Sequence, residues 1–154
     1  MLQVALYEPE IPPNTGNIMR LCANTGCPLH LIKPLGFTLE DKQLRRAGLD
    51  YREFADVRVH ESLEALIAAL NNPRIWALST RGTQNHTEAK FQEGDVLLFG
   101  PETRGLPVAV IKELGVDKCL RVPMLPESRS LNLSNATALV LYEGLRQQGF
   151  PGMA

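Results

Sequence analysis

The feature that most constrains the fold of this chain is a series of short apolar runs, each bounded by polar residues, glycine or proline. Runs of this length are typical of strands that are buried on both faces of a parallel sheet. The runs predict strands at Gln3–Tyr7, Leu29–Ile32, Arg74–Ser79, Asp95–Phe99 and Cys119–Val122.

Helical patterns lie between these runs. Ser62 is followed by apolar residues at helical spacing, which predicts a capped helix that ends before Pro73. A second helix is predicted over 107–115, and a third runs from about 132 to 148. This alternation indicates an α/β fold, with a mostly parallel sheet and helices on both faces. A chain of 154 residues has the size of one domain, so we expect a single domain over 1–154.

Two apolar helix surfaces predict a partner. The last predicted helix is apolar on nearly every face from Ala136 to Leu141, and such a helix is buried all round or packs on another chain. Ile18, Leu21 and Cys22 form a second apolar stripe at helical spacing. Closed two-fold pairing is the commonest way to cover such surfaces, so we expect a homodimer.

The charge of the chain excludes one class of protein. A formal net charge of −1 argues against a strongly basic binder that takes any nucleic acid. A local basic patch remains possible, since Arg45, Arg46 and Arg52 lie close together around Lys42. A solvated protein surface is the commoner explanation of such a cluster.

Cysteine, histidine and hydropathy patterns bear on compartment and metal. Cys22, Cys27 and Cys119 are an odd number without zinc-site spacing, which predicts reduced thiols in a cytoplasmic protein. The three histidines show no ligand spacing, so no metal is expected. No apolar stretch is long enough to cross a bilayer, and the N-terminus does not resemble a signal peptide. We therefore expect no membrane attachment.

The loops that follow the strands are the natural place for a site, because parallel sheets bind ligands at the carboxyl ends of their strands. After the first strand, Asn14 is positioned to cap a helix on which Asn17, Arg20 and Asn24 share one face. This polar stripe suits a phosphate or an oxyanion. An exposed helix face with an ordinary cap explains the same pattern.

Two later loops carry a stronger signal. Phe99–Pro107 holds two glycines, two prolines and two charges directly after a buried strand, which is more than a simple strand-to-helix turn needs. Val122–Asn135 gathers three hydroxyls and two amides before a buried helix, more than capping requires. Both loops predict a polar ligand. Neither matches a P-loop or the G-x-G-x-x-G fingerprint.

In this order, the three loops resemble the three motifs of the SPOUT methyltransferases. The segments 6–17, 41–51 and 142–143 resemble most closely the subgroup that methylates the tRNA wobble nucleotide, the TrmL or YibK-like enzymes. The resemblance covers essentially the whole chain. It implies a C-terminal trefoil knot, an exception to the rule that chains do not thread their own loops. It also implies S-adenosylmethionine as cofactor, a homodimer, and the tRNA anticodon loop as partner, with leucine isoacceptors as substrates.

The resemblance also assigns roles to residues. It places around the cofactor Leu78, Gly100, Glu102, Gly105, Val122, Ser130 and Leu131. It places Asn14, Arg20 and Asn132 near the reacting ribose, as catalytic residues. Candidates for RNA contacts are Arg45, Arg46, Tyr51 and Tyr142.

The implied reaction is attack of a ribose 2′-hydroxyl on a sulfonium methyl group. The family motif gives removal of the hydroxyl proton to the arginine that matches Arg20. A guanidinium has a pKa above about 12 and stays protonated in proteins. We therefore expect Arg20 to hold a phosphate and stabilise the developing alkoxide, while the substrate phosphate or water takes the proton.

Three alternatives follow from the same residues. A non-catalytic RNA-binding module could keep this fold, although the intact Arg20 and Asn132 argue against it. An RNA base methyltransferase of the same superfamily would use the same cofactor. A nicotinamide-dependent oxidoreductase would need a glycine fingerprint in the first strand-to-helix turn, which the chain lacks.

Overall fold

The computed structural model describes residues 1–48 and 56–154, in which seven strands form one sheet with every neighbouring pair parallel. The strands are β1 (Gln3–Tyr7), β2 (Leu29–Ile32), β3 (Val57–His60), β4 (Ile75–Leu78), β5 (Gln84–Asn85), β6 (Val96–Phe99) and β7 (Cys119–Arg121). Their order across the sheet is β3-β2-β1-β6-β4-β7-β5. The helices are α1 (Pro12–Thr25), α2 (Lys42–Gly48), α3 (Leu63–Ala69), α4 (Val108–Leu114) and α5 (Leu133–Gln147).

Strand alternation gives the sheet two cores. In β6, Leu97 and Phe99 enter the core shared with α1, α2 and α5, whereas Val96 and Leu98 enter the core shared with α3 and α4. All four residues are at most 3% exposed, as expected for a central parallel strand covered on both faces. The predicted α/β fold, with a mostly parallel sheet and helices on both faces, is confirmed. The trefoil knot stays a prediction.

The five predicted strands are confirmed to within a residue at each end, but sequence reasoning missed β3, β5 and α2. β3 lies at the edge of the sheet, and its sequence, Val-Arg-Val-His, has partly exposed side chains in place of an apolar run. β5 has two residues, too few to show a period. Segments this short or this polar are strands because their neighbours pair with them.

Helix ends are set partly by local sequence. Ser62 caps α3 through the Ala65 amide, as predicted. Asn132 caps α5, accepting from the Ser134 and Asn135 amides at 2.9 and 3.3 Å. The expectation that Asn14 caps the first helix is wrong. That helix begins after Ile11 with prolines in its first turn and no side-chain cap, so the Asn14 side chain is available for other contacts.

The apolar stripe on α1 does not face a partner. Ile18 and Cys22 are at most 1% exposed within this single chain, because they pack on the sheet in the same core as α5. On α5, Val140 and Leu141 are buried in that core, whereas Leu139 is 50% exposed. The partner surface expected from Ile18 and Cys22 is therefore wrong, whereas the surface expected on α5 keeps an exposed apolar side chain.

A buried carboxylate joins β4 to β6 at their amino ends. Asp95, whose side chain is 3% exposed, accepts from Arg74 Nε at 3.0 Å and Nη2 at 2.8 Å. It also accepts from the Trp76 indole nitrogen at 2.9 Å and the Gln92 amide at 2.8 Å. This carboxylate therefore holds two strands and the turn before β6 together.

Asp95→Ala is expected to lower the free energy of unfolding by about 3 kcal/mol, because the Trp76 and Gln92 donors lose their acceptor and Arg74 loses its counter-ion. Urea unfolding measures the change. The matched control is Asp56→Ala, which breaks the Arg58–Asp56 pair, whose side chains are 52% and 50% exposed. Its loss should stay below about 1 kcal/mol. Equal losses in both variants would contradict the proposed role of burial.

Two histidines form a second polar contact inside the fold. His30, which is 0% exposed, has Nδ1 2.8 Å from His60 Nε2 and Nε2 2.8 Å from the Gln3 side-chain oxygen. Burial, followed by the charges of His60 and Arg58, lowers the His30 pKa from 6.5 to about 4, while Asp56 acts in the opposite direction. Burial also lowers the His60 pKa. The folded protein therefore keeps this pair neutral.

The pair predicts a pH dependence of stability. Because the folded pKa of His30 is about 4 and its ordinary value is 6.5, the unfolded chain binds the extra proton between these pH values. The stabilisation is complete above pH 6.5 and is lost as pH falls through 4. Urea titrations at pH 7 and pH 4 should show wild type losing about 3 kcal/mol more than His30→Gln. The same loss in both proteins would show that His30 is not responsible.

Candidate active site

The predicted cofactor residues meet in one pocket at the carboxyl edge of the sheet. Leu78 ends β4, Gly100 follows β6 and Val122 follows β7, and these three strands are neighbours in the sheet. The pocket has a volume of about 310 Å³. Its lining includes every predicted cofactor residue and two predicted catalytic ones, namely Leu78, Gly100, Glu102, Gly105, Val122, Ser130, Leu131, Asn14 and Asn132.

The loop after β6 folds back tightly on itself. A Cβ added at Gly100 would overlap the Leu106 amide nitrogen and lie 2.6 Å from the Gly105 carbonyl carbon. Gly105 has φ +68°, and its amide donates to the Pro101 carbonyl at 2.8 Å. From the sequence, Gly100 and Gly105 are expected to permit positive φ or close approach of the backbone to a ligand. In the structure, Gly100 leaves space for the loop's own backbone.

A carboxylate from this loop holds the start of α1. Glu102 accepts from the Glu10 and Ile11 amides, both at 2.8 Å, and from Asn14 Nδ2 at 3.3 Å. In return, Glu10 accepts from the Thr103 amide and hydroxyl, both at 2.8 Å. Each segment thus donates backbone N–H groups to the other's carboxylate. Glu102 lines the pocket, but both its oxygens already bind the chain.

An arginine strengthens these reciprocal hydrogen bonds between the loop after β6 and the start of α1. Arg104 lies 3.3 Å from both Glu8 and Glu10. The pKa of Glu10 is lowered, chiefly by the backbone and side-chain hydrogen bonds from Thr103 and also by Arg104. Because Glu10 is ionised at neutral pH, these hydrogen bonds are charge-assisted and stronger than neutral ones.

Asn14 connects the loop after β6 to α5. Its Nδ2 donates to Glu102, and its Oδ1 accepts from Asn132 Nδ2 at 3.0 Å. Asn132 in turn accepts at Oδ1 from the first amides of α5. Because Glu102 can only accept, this chain fixes which end of each amide is the oxygen. Side chains from all three motif loops are therefore held in one hydrogen-bonded row.

Sequence reasoning missed part of the pocket wall. The turn after β4 contributes Ser79, Thr80 and Arg81, and the end of β7 contributes Arg121. The Ser79 amide donates to the Leu120 carbonyl at 3.0 Å, which holds this turn against β7. A Ser-Thr-Arg-Gly-Thr turn directly after a buried strand was a usable signal. Arg121 became a pocket residue only because β7 pairs with β4.

The other predicted residues lie outside the pocket. Arg20 is on the exposed face of α1 with Asn17 and Asn24, as the helical spacing predicts, and it does not line the pocket of its own chain. Arg45 and Arg46 are exposed on α2. Tyr142 is 40% exposed on α5, with its ring centre 6.4 Å from that of Phe150. Tyr51 and Arg52 fall outside the described residues.

Metal and thiol chemistry receive no support. Across residues 1–48 and 56–154, no group of three or more histidine, cysteine and acidic side chains is placed to hold a metal ion. The metal-free cofactor therefore stays a prediction. Cys22, Cys27 and Cys119 are buried thiols, and burial raises the pKa of each.

No helix of the described chain is long and apolar enough to cross a membrane.

The pocket has the composition of a site for a medium-sized polar ligand. Its volume of about 310 Å³ lies at the low end for small-molecule sites. Leu78, Val122 and Leu131 give apolar surface, while Ser79 and Ser130 offer hydroxyls. This mixture of surfaces suits a ligand that has both apolar and hydrogen-bonding parts.

Comparisons with known proteins agree with this geometry. The SpoU rRNA Methylase family matches residues 1–142. The chain is 59% identical over 152 residues to the tRNA (cytidine(34)-2'-O)-methyltransferase of Methylovorus glucosotrophus, and the match covers 99% of each protein.

Solved structures agree as well. One, described as "Structural insights into the 2-OH methylation of C/U34 on tRNA", is similar with a TM-score of 0.92 and 49% identity over 97% of both chains. The SpoU methyltransferase AviRb of Streptomyces viridochromogenes, solved in complex with the cofactor AdoMet, has a TM-score of 0.83 and 25% identity over 96% of this chain and 60% of that one. These matches confirm the resemblance found in the motifs, and the chain belongs to the SpoU rRNA methylase family.

Proposed function

We propose that this protein transfers a methyl group from S-adenosylmethionine to the ribose 2′-hydroxyl of the wobble nucleotide, cytidine or a modified uridine, in a tRNA anticodon loop. Leucine isoacceptors are the proposed substrates. The observation that carries the proposal is the single pocket into which all three motif loops converge. The chain's 59% identity to a tRNA (cytidine(34)-2'-O)-methyltransferase supports the same substrate.

The cofactor is proposed to lie in the pocket, held by Leu78, Gly100, Gly105, Val122, Ser130 and Leu131. When bound, S-adenosylmethionine supplies a methyl group activated by a positively charged sulfur. Glu102 is proposed to act beside it by holding Asn14 and the start of α1. No metal is needed, because the leaving thioether is neutral.

The protein's task is to prepare the ribose hydroxyl. Asn14 and Asn132 present amide groups of fixed orientation at the pocket, which suits them to position the ribose. Arg20 is proposed to hold the adjoining phosphate in a bidentate pair and to stabilise the alkoxide as it forms. The proton passes to that phosphate or to water, since a guanidinium is a poor base.

A homodimer would bring Arg20 to a pocket. Arg20 is exposed and does not line the pocket of its own chain, so a partner's pocket is the proposed place of its action. The surface proposed to form the dimer contact is the exposed apolar face of α5 and its end, where Leu139 is 50% exposed and Tyr142 and Phe150 are each 40% exposed. Large apolar side chains grouped in this way are typical of interfaces.

The remaining proposals concern the RNA contacts, the domain organisation and the cellular location of the protein. Anticodon-loop bases are unstacked, so Arg45, Arg46 and Tyr51 are proposed to contact a single-stranded loop. Tyr142 is proposed to contact that loop only if the dimer contact does not cover it. One sheet contains all the described strands, which supports a single domain over 1–154. A C-terminal trefoil knot is proposed from the family resemblance. The protein is proposed to act in the cytoplasm, where tRNA is its partner.

The test is to incubate the purified protein with S-adenosylmethionine and unmodified tRNA, and to map the methyl group by nuclease digestion and mass spectrometry. A methyl on the ribose of the wobble nucleotide is expected. Arg20→Ala should reduce the rate by about 10²- to 10³-fold, because a stabiliser of developing charge is lost. Its affinity for S-adenosylmethionine, measured by calorimetry, should stay within twofold of wild type.

Arg20→Lys should also be severely impaired, because it keeps the charge but loses the bidentate fork. Lys112→Gln, on the exposed side of α4, is the control and should keep full activity. A methyl found on a base would favour a base methyltransferase. Cofactor and RNA binding without any methyl transfer would favour a non-catalytic module. Family membership leaves no support for a nicotinamide-dependent enzyme.

Leu139→Glu is expected to convert the dimer into a monomer, because it places a charge in the proposed apolar contact. Light scattering coupled to gel filtration measures the mass. The monomer should still bind S-adenosylmethionine but lose methyl transfer, since Arg20 no longer reaches a pocket. Val116→Glu is the matched control, because Val116 is apolar and 64% exposed but lies away from α5. A fully active Leu139→Glu monomer would overturn the shared site.

A further inference from the structure

Two arginines that line the pocket have no carboxylate partner among the described residues. Within residues 1–48 and 56–154, Arg81 and Arg121 have no carboxylate oxygen within 4.0 Å. Four other described arginines are paired, and the pairs are Arg58–Asp56, Arg74–Asp95, Arg104–Glu8, Arg104–Glu10 and Arg146–Glu143. Among the described arginines that line the pocket, Arg104 is paired, whereas Arg81 and Arg121 are not.

Backbone contacts fix the position of both arginines. The turn after β4 closes through a bond from the Gly82 amide to the Ser79 carbonyl at 3.0 Å, and Ser79 Oγ accepts from the Arg81 amide at 3.1 Å. A Cβ added at Gly82 would overlap the Leu120 carbonyl and lie 2.9 Å from the Arg121 amide nitrogen. The absence of a side chain at Gly82 thus lets the turn that carries Arg81 pack directly on the strand end that carries Arg121.

Arg121 is the more constrained of the two. It is partly buried, and its guanidinium donates through Nη1 to the Thr80 carbonyl. A guanidinium has five N–H donors, and among the described residues Arg121 has this one acceptor. Its other N–H groups are therefore available to donate to an anion in the pocket.

The rest of the lining does not supply that anion. Among the described residues that line the pocket, Glu102 is the one acid. Its oxygens accept from the Glu10 and Ile11 amides and from Asn14, on the side of the pocket formed by α1 and the loop after β6. Arg104, the third arginine in the lining, is already paired with Glu8 and Glu10. A ligand that carries a negative charge would complement the arginines of this described lining.

We propose that Arg81 and Arg121 form an oxyanion subsite in this pocket, which binds a carboxylate or phosphate group of a substrate. The inference rests on the proposed function, whose two substrates each carry such a group. These are the amino-acid carboxylate of S-adenosylmethionine and the phosphates of the tRNA. Two guanidinium groups on adjoining backbone segments suit a planar or tetrahedral oxyanion, because each can donate a pair of parallel hydrogen bonds.

The test uses Arg81→Gln, Arg81→Glu and Arg121→Gln in the full chain, with three ligands. The ligands are S-adenosylmethionine, 5′-methylthioadenosine, which lacks the amino-acid carboxylate, and unmodified tRNA over a range of salt concentrations. Arg58→Gln is the matched control, because it removes the same charge from β3 at the opposite edge of the sheet. Calorimetry measures the nucleoside ligands, and fluorescence anisotropy measures tRNA.

If the carboxylate is the bound group, the Gln variants lower the affinity for S-adenosylmethionine about tenfold and leave the affinity for 5′-methylthioadenosine unchanged. If a phosphate is bound, they instead lower the affinity for tRNA about tenfold. The plot of log affinity against log salt then becomes less steep by about 0.7 to 0.9. In both cases Arg81→Glu binds that ligand more weakly than Arg81→Gln does, because it places a negative charge beside the anion.

Two results would overturn the subsite. One is that affinities in all three variants stay within twofold of Arg58→Gln. The other is an equal loss of S-adenosylmethionine and 5′-methylthioadenosine, which would mean that the arginines only shape the pocket. Wild-type protein that binds no S-adenosylmethionine at all would instead overturn the proposed function, so the two failures are distinguishable.

Discussion

The interaction on which the site depends is the hydrogen-bonded row from Glu102 through Asn14 to Asn132. It joins three loops that are far apart in the chain, and Glu102 also holds the Glu10 and Ile11 amides at the start of α1. The acceptor-only carboxylate at one end and the cap of α5 at the other fix the orientation of both amides. The pocket is thereby preorganised before a ligand binds, which is the condition for efficient positioning.

The two ends of the sheet use charged side chains in different ways. At the amino end, Asp95 is satisfied by Arg74, Trp76 and Gln92, so that the charge only holds strands together. At the carboxyl end, Arg81 and Arg121 lack a carboxylate among the described residues. The first arrangement stabilises the fold, and the second leaves attraction available for a ligand. A net charge of −1 conceals this contrast, because it sums over groups that never meet.

The same packing explains why one chain presents an incomplete site. α1 turns Ile18 and Cys22 into the core, so the opposite face, which carries Asn17, Arg20 and Asn24, points to solvent. Asn14, one and a half turns before Arg20, points instead to the pocket. One helix therefore contributes to two surfaces, the pocket through Asn14 and the exposed face through Arg20. In the proposed homodimer, both residues act on the same substrate from different subunits.

The sequence by itself determined the elements whose signals are local. Apolar runs identify the central strands, Ser62 and Asn132 identify helix starts, and the motif resemblance identifies residues of the pocket, since each signal lies within a few consecutive residues. Only the tertiary structure decided which strand ends adjoin. The order β6-β4-β7 differs from the chain order, so the placement of Arg81 and Arg121 in one pocket and the bond between Asn14 and Asn132 follow from packing between distant segments, which no local pattern encodes.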